Sequence, residues 1–127
     1  MKPDVRFHVR AAHARAAMAI GPGKVALLEA IGRTGSISAA ARALEMSYRR
    51  AWILVDETNR CLAAPAVTTA TGGKRGGGAV LTPAGIEFVR CYRDLEREAK
   101  AGVTARLAPL LRSVPRQRRA SRQEEDT

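Results

Sequence analysis

The sequence contains no apolar run of membrane-spanning length, and its first residues lack the apolar centre of a secretory signal peptide. It is also short of acids, because 12 Asp and Glu stand against 22 Lys and Arg, for a formal net charge of +10. These absences argue against a membrane or secreted protein, and we expect a cytoplasmic one. The excess positive charge favours an anionic partner such as nucleic acid.

The residues needed for a metal site, a disulfide or catalysis are equally scarce. Cys61 and Cys91 are far apart and form no CxxC pair, and His8 and His13 are not at metal-ligand spacing from them. Two reduced, packed thiols are expected. No nucleophile can be paired with the histidines, and the acids of the predicted last helix are mixed with arginines, as in surface ion pairs. The sequence therefore predicts no enzyme, no metal and no cofactor.

The length of 127 residues corresponds to about one domain. Apolar and polar residues alternate over Val5–Val9, which predicts a strand. The alanine-rich segment 11–20 is predicted to be a loop or a helical turn. An apolar helical face over Val25–Ile31 predicts a first helix that ends near Gly32.

Two short helices joined by a tight turn are predicted next. Ser36 or Ser38 can cap the first of these two helices, since a serine oxygen accepts a hydrogen bond from the free amides of the first turn. After a short connection at Glu45-Met46, Ser47 caps a helix that runs from about Tyr48 to Leu62. We expect four apolar residues on its inner side, with the tryptophan in the core: Ala51, Trp52, Val55 and Leu62.

Two short strands, Val67–Ala70 and Ala79–Leu81, are predicted to follow. The segment between them, TGGKRGGG, carries Lys74 and Arg75 among glycines that permit unusual backbone angles. It is not a nucleotide-binding P-loop, because it lacks the GxxxxGK spacing and leads into a strand.

A long last helix is predicted over Pro83–Ala108, with Thr82 as its cap. An apolar edge on this helix is typical of a surface that packs against a second copy of the chain. The predicted dimer residues are Phe88, Tyr92, Leu95, Ala99 and Val103. Residues 1–111 form the predicted domain, and the charged segment 112–127 is expected to be a disordered tail.

This order of elements predicts a mainly α fold with a small β wing, a winged helix-turn-helix with a long C-terminal dimerisation helix. In such a fold the second helix of the pair enters the DNA major groove. An arginine at its start can donate two hydrogen bonds to guanine, and basic wing residues can neutralise phosphates. The predicted DNA-binding residues are Ser36, Ser38, Ser47, Tyr48, Arg49, Arg50, Ile53, Lys74 and Arg75. The alternative is a protein-interaction module that uses the same fold and long helix to bind another polypeptide.

The stretches GSISAAARALEMSYRRAW and ATGGKRGGGAVLTPAG resemble the N-terminal DNA-binding domain of the ModE-type molybdate-responsive transcriptional regulators, relatives of the LysR-type winged helix-turn-helix. The family patterns are matched by Gly35–Ser38, Ser47–Trp52, Thr71–Thr82 and Gly85, with Arg49 in place of the usual lysine.

The resemblance implies a homodimer bound to double-stranded DNA. It implies base contacts from Tyr48, Arg49 and Arg50, and wing contacts from Lys74 and Arg75. Full-length family members also carry C-terminal oxyanion-binding domains that this sequence does not contain. We therefore expect a regulator of genes linked to molybdenum or another metal oxyanion that binds no small-molecule effector itself.

Overall fold

The computed structural model of the chain describes residues 4–12, 17–70 and 78–112. These residues are mostly helical, with two antiparallel strand pairs. In chain order the elements are β1 (Val9–Ala12), β2 (Ala17–Ile20), α1 (Pro22–Thr34), α2 (Ile37–Ala43), α3 (Tyr48–Cys61), β3 (Val67–Ala70), β4 (Gly78–Leu81) and α4 (Pro83–Gly102). Arg6–Glu96 forms one compact unit, and the described residues outside that range belong to a second.

The first strand pair corrects the prediction for the N-terminal region. β1 and β2 pair antiparallel, with Val9 opposite Ile20. The loop or helical turn predicted over 11–20 is therefore wrong for the part of it that is described. Alanine favours helices, but backbone pairing between strands overrides such a weak preference. The predicted strand Val5–Val9 begins only at its last residue.

Helix α1 begins and ends at glycines. Gly21 caps it in an extended conformation, and Pro22 occupies the first turn, where no amide hydrogen is needed. At the other end Gly35 adopts a left-handed conformation with φ of 70°, and its amide donates to the carbonyl of Ile31 at 2.8 Å. The helix therefore continues past the end predicted near Gly32.

The main core lies among α1, α2 and α3. Leu28 and Ile31 of α1 pack there against small residues, of which Ala40 and Ala51 are fully buried. Alanines at these positions let the three helix backbones approach closely. Val67 of β3 closes the same core from the strand side.

The second strand pair agrees with the prediction, except that β4 begins one residue earlier, at Gly78. Strand β4 of this pair is hydrogen-bonded to the turn between α1 and α2. Ser36 forms a single bridge with Gly78, and the Ala79 amide donates to the carbonyl of Gly35 at 3.0 Å. The turn therefore acts as a short third strand beside β4.

The side chain of Asn59 ties β3 to α3. Its Oδ1 accepts hydrogen bonds from the amides of Ala66 and Val67, at 2.8 and 3.2 Å. Its Nδ2 donates to the carbonyl of Val67 at 3.1 Å. One amide side chain thus satisfies three backbone groups and fixes the start of the strand pair on α3.

The start of α4 is capped as predicted, because Thr82 Oγ1 accepts from the amide of Gly85 at 3.0 Å. The same hydroxyl donates to the carbonyl of Pro65 at 2.6 Å. Gly85 lies so close to the strand pair that an added Cβ would sit 2.4 Å from the carbonyl oxygen of Ala66. Only glycine allows this approach.

The end of α4 differs from the prediction. The α-helix stops at Gly102 rather than Ala108, and a π-helical turn over Val103–Leu107 and a 3-10 turn over Ala108–Leu110 follow. Pro109 lies in the 3-10 turn and has no amide hydrogen, so the α-helical hydrogen-bond pattern cannot continue through it.

Cys61 and Cys91 form no disulfide with each other; Cys61 is half-buried and Cys91 is exposed. The expectation of packed thiols is therefore wrong for Cys91, which lies on the outer face of α4. No helix in the described ranges combines the length and the apolar character needed to cross a membrane.

Candidate nucleic-acid interface

Helices α2 and α3 are joined by a turn of few residues. Glu45 takes a left-handed conformation with φ of 55°, which few residues other than glycine adopt. The amide of Leu44 donates to the carbonyl of Ala40 at 3.1 Å, and that of Met46 to Ala41 at 3.0 Å. These bonds satisfy carbonyls at the end of α2 and direct the chain into α3.

Serines cap both helices. Ser36 Oγ accepts from the Ala39 amide at 3.1 Å, and Ser47 Oγ accepts from the Arg50 amide at 3.0 Å. Of the two serines predicted as caps of α2, Ser36 is therefore the one used, and Ser38 is exposed. The cap at Ser47 makes the first turn of α3 a defined, outward-facing structure.

Helix α3 has one buried and one exposed face. Its buried residues are Ala51, Leu54, Val55 and Thr58. At about 100° of rotation per residue, the face opposite to them is a single line. That line consists of Arg49, Ile53, Asp56 and Arg60, all of them exposed. Tyr48, which is 54% exposed, and Arg50 flank it.

Trp52 is not in the core, and the prediction that placed it there is wrong. It is 38% exposed, and its ring meets that of Tyr48 edge to face, with centroids 6.2 Å apart. Helical spacing puts Trp52 at the border of the buried face. The contacts with α1 and α2 are filled by smaller side chains, among them Ala51, so the indole remains outside.

The charges on this face are unevenly paired. Asp56 and Arg60 form an ion pair at 3.1 Å, and Glu57 lies 3.8 Å from Lys24. The described part of the chain gives Arg49 and Arg50 no carboxylate partner. The first turn of α3 therefore carries two positive charges without an ion-pair partner, whereas the charged side chains later in the helix are paired.

The predicted site residues Lys74 and Arg75 lie outside the described residues. What is described is the base of the strand pair, which ends at Ala70 and resumes at Gly78. Of the nine predicted DNA-binding residues, the structure brings five together at the exposed start of α3. These are Ser47, Tyr48, Arg49, Arg50 and Ile53. The side chain of Ser36 caps α2, and its backbone forms the bridge to β4.

The predicted dimer residue Tyr92 is buried by its own chain, at 3% exposure. Its ring stacks on Phe7 at 4.5 Å, and its hydroxyl donates to the Phe7 carbonyl at 2.7 Å. Phe88 is half-buried beside it. Sequence spacing placed these aromatics on a seam, whereas contact with a segment 85 residues away places Tyr92 in the core.

The remaining predicted dimer residues are more accessible. Leu95 is 48% exposed. In the second unit, Ala99 and Val103 line a shallow groove together with Gly102, Arg106 and Leu107.

Among the described residues of the first unit, two groups have shifted pKa values, and both form hydrogen bonds within the fold. Hydrogen bonds to Glu29 raise the pKa of Arg93, so this cation is permanent. Burial raises the pKa of the Tyr92 phenol, and the nearby Glu96 adds to the effect. Within the described ranges, no three His, Cys, Asp or Glu side chains form a group suited to a metal ion.

The chain matches no family model. It is 54% identical over 95 residues to the molybdenum-pterin-binding protein MopB of Rhodobacter capsulatus, covering 75% of this chain and 34% of MopB. It is 40% identical over 96 residues to the molybdenum transport protein ModE of Azotobacter vinelandii, covering 76% and 35%. The DNA-binding transcriptional dual regulator ModE of Escherichia coli is 42% identical over 71 residues, covering 56% and 27%. The chain thus spans about a third of the length of the curated relatives it matches.

Proposed function

We propose that this chain, a homologue of the ModE and Mop proteins, is a sequence-specific DNA-binding regulator of transcription with a winged helix-turn-helix fold. In this proposal α2 and α3 form the helix-turn-helix, and the β3–β4 pair forms the wing. The observation that carries the proposal is the serine-capped start of α3. It presents Tyr48, Arg49 and Arg50 as consecutive exposed residues, and no carboxylate of the described part of the chain pairs with the two arginines.

This arrangement supports recognition of bases in the major groove. A recognition helix contacts base edges with residues of its first turns, and an arginine pairs with the N7 and O6 of guanine. Arg49 lies on the outermost line of α3, so we assign it the central base contact. Arg50 and Tyr48, on either side of that line, contact bases or the flanking phosphates.

The wing supplies affinity that does not depend on sequence. Lys74 and Arg75 lie between β3 and β4, and their charges would release counterions on contact with the DNA backbone. The Asn59 side chain binds the base of this wing to α3. Wing and recognition helix are thereby held as one DNA-binding surface.

We propose that the protein acts as a homodimer on a pseudo-palindromic site, with half-sites about one DNA turn apart or a multiple of it. The contact residues are Leu95 and, in the groove of the second unit, Ala99 and Val103. A Val103→Arg variant should sediment as a monomer. The matched variant Thr104→Arg, at an exposed neighbouring position outside the groove lining, should remain a dimer.

The names of the relatives connect this role to molybdenum. Two relatives are named molybdenum transport protein ModE, and several ModE proteins are named transcriptional regulators. We propose that this chain regulates genes of molybdenum or metal-oxyanion metabolism. MopB is named for molybdenum-pterin binding, and we assign that property to the two thirds of MopB that this chain does not match. Calorimetry with molybdate should show no heat, and binding at micromolar affinity would refute the assignment.

A titration with bulk DNA at two salt concentrations tests the proposal against the alternative of a protein-interaction module. We expect binding that weakens by orders of magnitude between roughly 50 and 200 mM salt. An Arg49→Ala/Arg50→Ala double variant should bind more weakly, and Arg90→Ala serves as the control for the loss of positive charge elsewhere. If the parent protein does not bind DNA at low salt, the protein-interaction function becomes the better description.

A further inference from the structure

The exposed start of α3 carries two bulky apolar side chains beside its arginines. Trp52 is 38% exposed and Ile53 is 44% exposed. Neither contributes to the buried core of the chain. Adjacent exposed apolar side chains on an otherwise polar helix face are typical of a surface that contacts an apolar group of a partner.

We infer that Trp52 and Ile53 make the protein select thymine, by contacting the C5 methyl group in the major groove. This inference rests on the proposed function, since it requires α3 to enter the groove. Among the four bases only thymine presents a methyl group there, and apolar side chains are the groups that recognise it. The apolar partner is thus available at the place where α3 would bind.

The spacing along α3 fits readout of nearby base pairs. Ile53 lies four residues after Arg49 on the same exposed line, which is about 6 Å along the helix axis. Base pairs of B-DNA are about 3.4 Å apart. If Arg49 pairs with a guanine, Ile53 therefore reaches a base one or two pairs away.

The neighbouring side chains favour this contact. Tyr48 meets the Trp52 ring edge to face at 6.2 Å, which supports the indole in its outward position. The carboxylate of Asp56, next to Ile53 on the exposed line, is paired with Arg60 at 3.1 Å. Its charge is thereby offset, so the apolar residues can approach the DNA without a bare carboxylate beside them.

Uracil substitution provides the test, because uracil differs from thymine only by the absent methyl group. Duplexes that bind the parent protein are first selected from a random library, and each thymine of the selected site is then replaced by uracil. We expect a loss of about three- to tenfold in affinity at one or two thymines per half-site, the effect of burying one methyl group. Ile53→Ala and Trp52→Ala should each reduce this sensitivity.

Ile86→Ala is the matched control, since Ile86 is 56% exposed on α4 and belongs to no proposed DNA contact. It should retain the uracil sensitivity of the parent protein. Trp52→Phe provides a second variant that keeps an apolar ring and should keep part of the sensitivity. Trp52 is the only tryptophan of the chain, so its fluorescence should change on binding the selected duplex.

Three results would overturn the inference while leaving the proposed function intact. The first is a parent protein whose affinity is unchanged when uracil replaces thymine. The second is that Trp52→Ala and Ile53→Ala lose as much affinity on uracil substitution as the parent protein. The third is tighter binding of single strands than of duplex, which would indicate stacking on unpaired bases. Failure of the proposed function looks different. In that case the library yields no enriched site, and the parent protein shows no salt-sensitive DNA binding.

Discussion

The guanidinium of Arg93 on α4 donates two parallel hydrogen bonds to the carboxylate of Glu29 on α1. The Nη2–Oε1 and Nε–Oε2 distances are 2.7 and 3.2 Å. The remaining Nη1 donates to Glu96 at 2.8 Å. This two-point geometry joins α4 to α1 through two residues that lie 64 positions apart in the sequence. Both side chains are about 30% exposed.

We expect Glu29→Gln and Arg93→Lys each to lower the free energy of unfolding by about 1 kcal/mol, above the usual value for an exposed pair. Urea unfolding of both variants and of the double variant measures the coupling. Arg90→Lys is the control, because the Arg90–Glu87 pair is about two-thirds exposed and should contribute almost nothing. If Arg90→Lys lowered the free energy of unfolding as much as Arg93→Lys does, the larger contribution expected of the Arg93–Glu29 pair would be contradicted.

Gly85→Ala should destabilise the protein by about 1–3 kcal/mol, the usual cost of overpacking. The added Cβ would lie 2.4 Å from the Ala66 carbonyl oxygen and 2.7 Å from Leu81, so the β3–β4 pair would have to move away from α4. Thermal unfolding measures the loss. Gly23→Ala, in open space in the first turn of α1, should be neutral or stabilising. An unchanged melting temperature for Gly85→Ala would show that the strand pair shifts freely.

Tyr92→Phe should cost about 1 kcal/mol at neutral pH, because the hydrogen bond to the Phe7 carbonyl is lost. It should also change the pH dependence. Burial raises the pKa of Tyr92 above the ordinary value of 10.0, so the unfolded chain ionises first. The stability supplied by Tyr92 is therefore complete below pH 10 and declines as the pH rises through the raised pKa.

Unfolding curves of the parent protein and of Tyr92→Phe, measured between pH 8 and about 11, test this prediction. Lysines titrate in the same range in both proteins, so the difference between the two free energies of unfolding reports Tyr92 alone. The variant should lose stability less steeply above pH 10. Tyr48→Phe, which removes a phenol hydroxyl from an exposed position, is the matched control. A Tyr92→Phe curve parallel to that of the parent protein would refute the alkaline effect.

Arg49→Ala and Arg50→Ala should each weaken binding to the selected DNA site by about 1–3 kcal/mol and relax base preference at one position. Competition titrations against site variants measure both effects. Arg90→Ala removes the same charge from α4 and should cost little. Unchanged base preference in both α3 variants would mean that these arginines contact only phosphates.

Lys74→Ala should weaken binding to specific and random DNA alike, and should reduce the slope of log K against log salt by about 1. The reason is that a phosphate contact releases counterions irrespective of sequence. Lys100→Ala provides an exposed lysine of equal charge outside the proposed DNA-binding surface. A loss restricted to the specific site would instead make Lys74 a base-reading residue.

Local signals allowed several features to be predicted from the sequence. The cap at Ser47, the strand Val67–Ala70 and the cap at Thr82 each depend on residues within one or two turns of chain. Such signals need no knowledge of the tertiary structure. They also located the exposed start of α3, because the cap fixes which residues follow it.

Features that depend on distant contacts were missed. The outward position of Trp52 follows from how smaller residues fill the space between α1, α2 and α3. The burial of Tyr92 follows from Phe7, and the strand at Ala17–Ile20 from its pairing with β1. The bridge between Ser36 and Gly78 joins two segments that carry no mutual sequence signal.

That bridge couples the second strand pair to the start of α2. The foot of the β3–β4 pair is bonded to Gly35 and Ser36, and the side chain of Ser36 caps α2. A displacement of β4 is therefore transmitted to the first turn of α2, so the strand pair and this helix respond as one unit to a substitution at Gly78.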